Sequence, residues 1–371
     1  MNYRKLLTVV ISFIIFSGCS SVAVRKDTGK QDSVKTIINK PASKQKTSLL
    51  VTPNPSPEAD SLFRYILSIS GNHTLIGQHC APLVGSTRLS VNYRMTKKYP
   101  ALFGQDFGFA PPGIWDGINY RQNIVDEAIR RYYEGFVITL MWHAVRPIED
   151  EPVTFKESIQ GELTNQEWND LVTPGTEINE RWKSQVDVIA WFLKQLKYAG
   201  VPVLWRPYHE MNGDWFWWGK KGGENGYKKL YRMLFDRLVN FHGLNNLIWV
   251  YNANEVKPWV DSYETYYPGD DVVDILATDV YSEGFNEMNY NQLLALAKNK
   301  PIALGEVGSV PSVEKLKEQP RWTWFMLWDD PPGWPNIDDY FENYKSDETI
   351  TLDELPWVNM GVPKIHYPII K

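Results

Sequence analysis

From Ser61 onward the chain alternates between two hydrophobic periods. Runs that are apolar at most positions recur at 73–80 (HTLIGQHC), 101–107 (ALFGQDF), 135–143 (GFVITLMWH) and 201–210 (VPVLWRPYHE). Four more lie at 246–254, 272–282, 301–308 and 322–330. Continuous rather than alternating apolar runs predict strands buried on both faces, as in parallel sheets. Between them lie longer stretches with apolar residues three and four apart. Residues 119–134 carry them at 124, 125, 128, 129 and 132. Residues 181–200 carry them at 182, 186, 189, 193 and 196 and end in Gly200; residues 225–243 repeat the pattern and end in Gly243. These predict amphipathic helices with glycine stops. Shorter helices fit 288–299, 312–319 and 336–345. Eight strands alternating with helices predict an α/β fold, the closed (β/α)8 TIM barrel. The competing open sheet would carry a glycine-rich phosphate turn after an early strand, and the sequence has none.

Before Ser61 the pattern changes. Arg4 and Lys5 precede an apolar stretch from Leu6 to Phe16, 11 residues, too short for an ordinary transmembrane helix. With "FSGC" after it, the segment resembles a bacterial lipoprotein signal, residues 1–18, cleaved before Cys19 with a lipid on its sulfur. A plain secretory signal is the alternative. Either sends the chain out of the cytoplasm. Residues 19–57 are rich in Ser, Thr, Lys and Pro without sustained period and predict a flexible tether, leaving 58–371 as the folded domain. The resemblance implies a lipid anchor in the outer membrane of a Gram-negative bacterium. "SSVAV" after Cys19 lacks the acidic run of some surface-displayed lipoproteins, which favours a periplasm-facing anchor.

Charge narrows the partners. With 39 basic and 44 acidic residues, net −5, nothing suggests nucleic acid. Cys19 and Cys80 cannot form a disulfide framework. Sixteen Trp and 20 Tyr are many, and four of the Trp crowd with Tyr208 and Phe216 into "WRPYHEMNGDWFWWG", 205–219, around Glu210.

In a TIM barrel chemistry sits at the C-terminal strand ends. In this chain those ends are Asp106, Trp142-His143, His209-Glu210, Asn252, Asp279 with Tyr281, Glu306, and Trp328 with Asp329. Glu210 and Glu306 close the fourth and seventh strands. Two carboxyls facing each other across a barrel mouth are the minimum set for cleaving a glycosidic bond, and Trp faces stack on sugar rings. The aromatic crowd is therefore expected to hold a saccharide beside Glu210. His143 is expected to line the site, and Trp205 and Trp324 to fill the barrel. HExxH would need a second His at 213, which is Gly, and no His/Cys cluster occurs, so no metal and no cofactor is expected. GxSxG is absent.

"WRPYHEMNGDWFWWG", "GEVG" after the seventh strand and the lipoprotein-type leader resemble glycoside hydrolase family 26, over about residues 58 to 368. The resemblance implies a retaining TIM-barrel enzyme, chiefly an endo-β-1,4-mannanase acting on mannan, glucomannan or galactomannan. By motif, Glu210 resembles the acid/base and Glu306 the nucleophile. His209 shapes the site, Trp215 resembles a subsite aromatic beside the cleavage point, and Tyr281 resembles the tyrosine that hydrogen-bonds the nucleophile. His143 and Trp328 resemble further sugar contacts. Asp329 departs from the pattern: some mannanases of the family have Arg there. Within the family, mixed-linkage β-glucanase (lichenase) and β-1,3-xylanase activities remain open. A non-catalytic glycan-binding lipoprotein is the alternative of another class. The long connection at about 144–180, carrying Trp168, would either wall off one end of the groove, biasing products toward mannobiose, or lie idle on the surface.

Overall fold

The computed structural model describes residues 48–81, 87–281, 285–328 and 337–359. The leader, Cys19 and Asp329 lie outside them.

All eight expected strands form: β1 (Thr74–His79), β2 (Leu102–Asp106), β3 (Val137–Trp142), β4 (Val203–Pro207), β5 (Leu247–Asn254), β6 (Ile275–Val280), β7 (Ile302–Val307) and β8 (Trp322–Leu327). Each pairs in parallel with the next, and β8 pairs with β1, closing the barrel. Every residue in these strands is buried, which explains why their sequences do not alternate. Trp205, Trp249 and Trp324 are wholly enclosed. A short ninth strand, β9 (Thr349–Ile350), was not expected. It pairs with Thr74 and Leu75 of β1, while β2 pairs only with Gly77, Gln78 and His79. The β1–β2 seam is therefore shared between two strands.

The helices are α1 (Pro57–Ile69), α2 (Thr87–Thr96), α3 (Arg121–Glu134), α4 (Asn165–Leu171) and α5 (Glu177–Tyr198). They continue with α6 (Tyr227–Phe235), α7 (Glu287–Ala297), α8 (Val313–Glu318), α9 (Ile337–Asn343) and α10 (Pro356–Asn359). The expected helix at 225–243 is α6 continued by a wider π turn, Asp236–Phe241. Between β5 and β6 the connection holds one 3-10 turn, Tyr263–Tyr266.

The tether expected up to residue 57 is corrected at its end. Leu50 and Thr52 are buried, the Val51 N–H donates to Asp274 Oδ1 at 2.7 Å, and the Ser56 N–H to the Asn245 carbonyl at 2.7 Å. Ser56 then caps α1 by accepting from the Ala59 N–H, with Pro57 in the first turn. A Pro- and Ser-rich string read as linker is a docked edge followed by a capped helix.

Candidate active site

β4 ends at Pro207, and the chain then takes an unusual turn. Tyr208 and Glu210 hold φ of 48° and 54°, the left-handed region that side chains with a Cβ disfavour by about 1–2 kcal/mol each. The surroundings fix this turn. The Glu210 N–H donates to the Asn252 carbonyl at 2.8 Å. The Tyr227 hydroxyl donates to the Tyr208 carbonyl, and the Trp218 indole N–H to the His209 carbonyl at 2.8 Å. The Trp182 indole donates to the Tyr208 hydroxyl at 2.9 Å.

This corrects the expected role of the aromatic cluster. Tyr208, Trp217 and Trp218 are buried core, and Trp205 lies inside the barrel. Trp218 bonds the His209 carbonyl and packs with Trp217 and Tyr208 beneath the turn that presents Glu210. Of the stretch's Trp, Tyr and Phe rings, Trp215 and Phe216 reach the groove.

The Glu210 carboxyl has two donors. The Trp215 indole N–H reaches Oε2 at 2.6 Å, and the Asn254 amide reaches Oε1 at 2.7 Å. Gly213 makes the first possible, because a Cβ there would stand 2.1 Å from the Trp215 ring. Asn212 holds the second in place: its side chain bonds both the N–H and the carbonyl of Asn254. Burial and the charge of Glu306 push the Glu210 carboxyl up to about 7, against the two hydrogen bonds, which favour its ionised form.

Glu306 stands in a different setting. Arg206, enclosed within the barrel, donates to its Oε1 at 2.9 Å, and the Tyr281 hydroxyl donates to its Oε2 at 2.7 Å. Arg206 also donates to Asn252 Oδ1 at 2.8 Å, and the Asn252 amide donates to Asp279 Oδ2 at 2.7 Å. Gly305 leaves room for this pair, since its Cβ would fall 1.7 Å from Asn252 Oδ1. Burial, then the charge of Glu306, drives the Asp279 carboxyl well above its ordinary range. Burial pushes the Tyr281 phenol well up as well, reinforced by Glu306, so it remains a donor.

His209, Asp279 and Glu306 offer ligand atoms within 4.8 Å of one another. The Arg206 guanidinium already faces both carboxylates, 3.5 Å from Asp279 Oδ1. It fills the cationic place that a metal would take. His209 is held well below its usual value by burial and then by the positive surroundings of His143 and Arg206.

His143 Nδ1 lies 2.6 Å from Asp106 Oδ2, and its backbone N–H also donates to Asp106 Oδ1. Burial works against charging this imidazole, but the Asp106 carboxylate outweighs it, and His143 sits above its ordinary value. On the far side Trp328 stacks on His79, centroids 4.0 Å apart and planes 18° from parallel.

These groups meet in one open groove of about 340 Å³ at the C-terminal mouth. Glu210, Glu306, His143, His209, Trp215, Tyr281 and Trp328 all line it. Sequence reasoning missed Asn254, Arg206, Phe155, Lys257 and Trp259. Asn252, placed at the end of the fifth strand, lies inside the barrel; the strand runs two residues further, to Asn254. The long connection after β3 sends Phe155 into the groove, while its Trp168 is buried and donates to the Asn225 carbonyl at 2.8 Å.

Residues 51–354 match the family model described as glycosyl hydrolase family 26. The chain belongs to glycosyl hydrolase family 26. Among curated relatives, a mannan endo-1,4-β-mannosidase of Thermothelomyces thermophilus is 36% identical over 326 residues, 81% of this chain and 62% of that protein. Mannan endo-1,4-β-mannosidase A of Piromyces sp. is 30% identical, covering 86% of this chain and 53% of the relative. The chain thus spans less than two thirds of these relatives. Among solved structures, family 26 protein GH26A from Muricauda sp. MAR_2010_75 is 46% identical with a TM-score of 0.77, covering 82% of this chain and 99% of that one. The Podospora anserina GH26-CBM35 β-(1,4)-mannanase is 35% identical with a TM-score of 0.70, covering 83% and 68%.

Proposed function

We propose that this family 26 chain is a retaining endo-β-1,4-mannanase, with Glu306 as nucleophile and Glu210 as acid/base. The observation that carries the reading is the contrast between the two carboxyls. Glu210 is held up to about 7, where it still carries a proton near neutrality. Glu306 receives a guanidinium and a phenol hydroxyl, the partners of a carboxylate that must stay ionised and aimed.

In the first step Glu306 attacks the anomeric carbon. The bond to the leaving oxygen breaks, and Glu210 gives that oxygen its proton. The products are a shortened chain and a glycosyl ester of Glu306. Esterification removes the charge that helped raise Glu210. Now ionised, Glu210 takes a proton from water as the water oxygen attacks the same carbon, and Glu306 leaves as carboxylate. Two displacements restore the starting configuration. The mannan preference is supported by the names of the two curated relatives described above, both mannan endo-1,4-β-mannosidases.

The leader supports export, lipidation at Cys19 and a periplasm-facing anchor. Loss of label from a lipid precursor in Cys19→Ala would test the anchor.

Purified protein without its leader, incubated with linear β-1,4-mannan, should release mixed manno-oligosaccharides whose new ends are first seen as β-anomers by NMR. Glu306→Ala should release none. Mannobiose alone from the outset would keep the chemistry and point to a blocked groove. Inactivity on mannan with activity on mixed-linkage β-glucan or β-1,3-xylan would move the substrate. Binding without hydrolysis of any of them would favour the glycan-binding reading.

A further inference from the structure

We infer that Trp259 is a stacking platform for the second sugar on the leaving-group side of the cleaved bond. The inference rests on the proposed glycosidase reading of the groove. Large rings on this molecule's surface lie mostly on the helical flank, such as Trp191 and Tyr198 of α5. Trp259 differs. It is 65% exposed and yet lines the same groove as Glu210 and Glu306. Among the described residues its ring meets no other ring. An apolar ring left bare at the rim of a saccharide-sized groove is a face awaiting a flat apolar partner, and one face of a pyranose supplies that.

The backbone beneath the ring is fixed. Lys257 and Val260 form an antiparallel bridge, with the Val260 N–H donating to the Lys257 carbonyl at 3.0 Å and the Val260 side chain buried. The Lys220 ammonium donates to the Trp259 carbonyl at 2.9 Å. Asn212 ties the turn to the acid/base loop: its carbonyl accepts from the Asp261 N–H at 3.1 Å and its amide donates to the Asp261 carbonyl at 3.0 Å. The same Asn212 side chain positions Asn254, which bonds Glu210. One residue thus links the turn that carries Trp259 to the residue that bonds the proton donor.

That link sets the side. Glu210 must stand at the leaving oxygen, so what is bolted to its loop borders the leaving chain. Trp215, bonded to Glu210 itself, borders the first leaving sugar. Trp259, further out and more exposed, borders the next. Lys257 beside it is held by Glu255, 2.9 Å from Nζ, and Glu255 also accepts from the Tyr281 N–H at 3.0 Å. The platform is therefore braced from both halves of the groove.

The test compares kcat/KM for mannohexaose with that for 4-nitrophenyl β-mannobioside, whose aryl leaving group ends at the first position. Trp259→Ala should shrink the hexaose advantage by about three- to tenfold, the range expected for loss of one stacking face. Trp259→Tyr should restore most of it. An unchanged ratio in Trp259→Ala, including a uniform loss on both substrates, would overturn the inference. A wild-type enzyme silent on mannans would instead overturn the mannan reading, and the same ratio measured on mixed-linkage β-glucan or β-1,3-xylan oligosaccharides would then decide Trp259. Silence on all three would remove both.

Discussion

The Tyr281 hydroxyl donates to Glu306 Oε2 at 2.7 Å from the end of the neighbouring strand. Among the described residues it is one of two donors on that carboxylate, and the charged one, Arg206, comes from inside the barrel. A hydrogen bond to a charged group contributes about 1.5–3 kcal/mol. Tyr281→Phe should therefore lower kcat/KM by about ten- to a hundredfold. Its hydroxyl end is buried against Glu306, but the residue as a whole is 46% exposed, so the melting temperature should hardly move. Steady-state kinetics beside a thermal melt checks both halves.

Glu210 makes the pH dependence explicit. The first displacement needs it protonated, so kcat/KM should fall as pH rises through about 7. The bonds from Trp215 and Asn254 favour the ionised form, so Asn254→Ala should move that limb to higher pH. The same raised value is a cost to the fold. Below the unfolded carboxyl's value, near 4.3 for Glu, both states hold the proton and nothing is lost; above about 7 the buried charge weighs in full. Glu210→Gln should abolish the proposed glycoside hydrolysis, yet stabilise the protein at pH 8 by on the order of 3–4 kcal/mol and not at pH 4. Denaturant titrations at the two pH values would show it.

Arg206 is enclosed with Glu306 and Asp279 around it. Removing one partner of a buried ionic cluster leaves charge without compensation, typically a loss of about 3–5 kcal/mol. Arg206→Met should destabilise on that scale in urea at pH 8. Arg206→Lys should recover only part, because one ammonium cannot reproduce the guanidinium's forked donors to Glu306 and Asn252.

Gly213→Ala tests how Glu210 is aimed. The new methyl would meet the Trp215 ring at 2.1 Å, so the indole must move and its bond to Glu210 must break. The expected result is a loss of at least tenfold in kcat/KM, with the alkaline limb shifted upward and a changed tryptophan emission.

The barrel could be read from the chain because each strand is buried on both faces, and unbroken apolar runs mark that state directly. The strand-end rule then exposed Glu210, Glu306, His143 and Tyr281. Helices α1, α2 and α4 escaped for different reasons. α1 begins at "SPEAD", where the cap and proline that start it also suit a linker. α2 buries only Leu89 and Asn92 of its ten residues, one of them polar, so it shows no apolar stripe, and α4 lies within the connection at about 144–180, which reads as loop. Arg206 could not be assigned a role, because its partner carboxylate lies 100 residues away and only closure of the barrel brings them together. The aromatic cluster misled in its purpose: Trp205, Tyr208, Trp217 and Trp218 are core, and ring density along a sequence cannot distinguish a ring that faces sugar from one that faces core.

The shared seam at β1 also governs when the barrel can close during synthesis. β1 emerges from the ribosome early, but its partners are Trp324 to Leu327 on one side and, at its first residues, Thr349 and Ile350 on the other. The Thr74 hydroxyl finds its acceptor, the Trp322 carbonyl, 248 residues downstream. Until those segments are made, an apolar strand has an open edge, a state that invites pairing with other chains. The nascent protein is expected to depend on holding factors until nearly all of its described residues have been translated, and then to close in one late event.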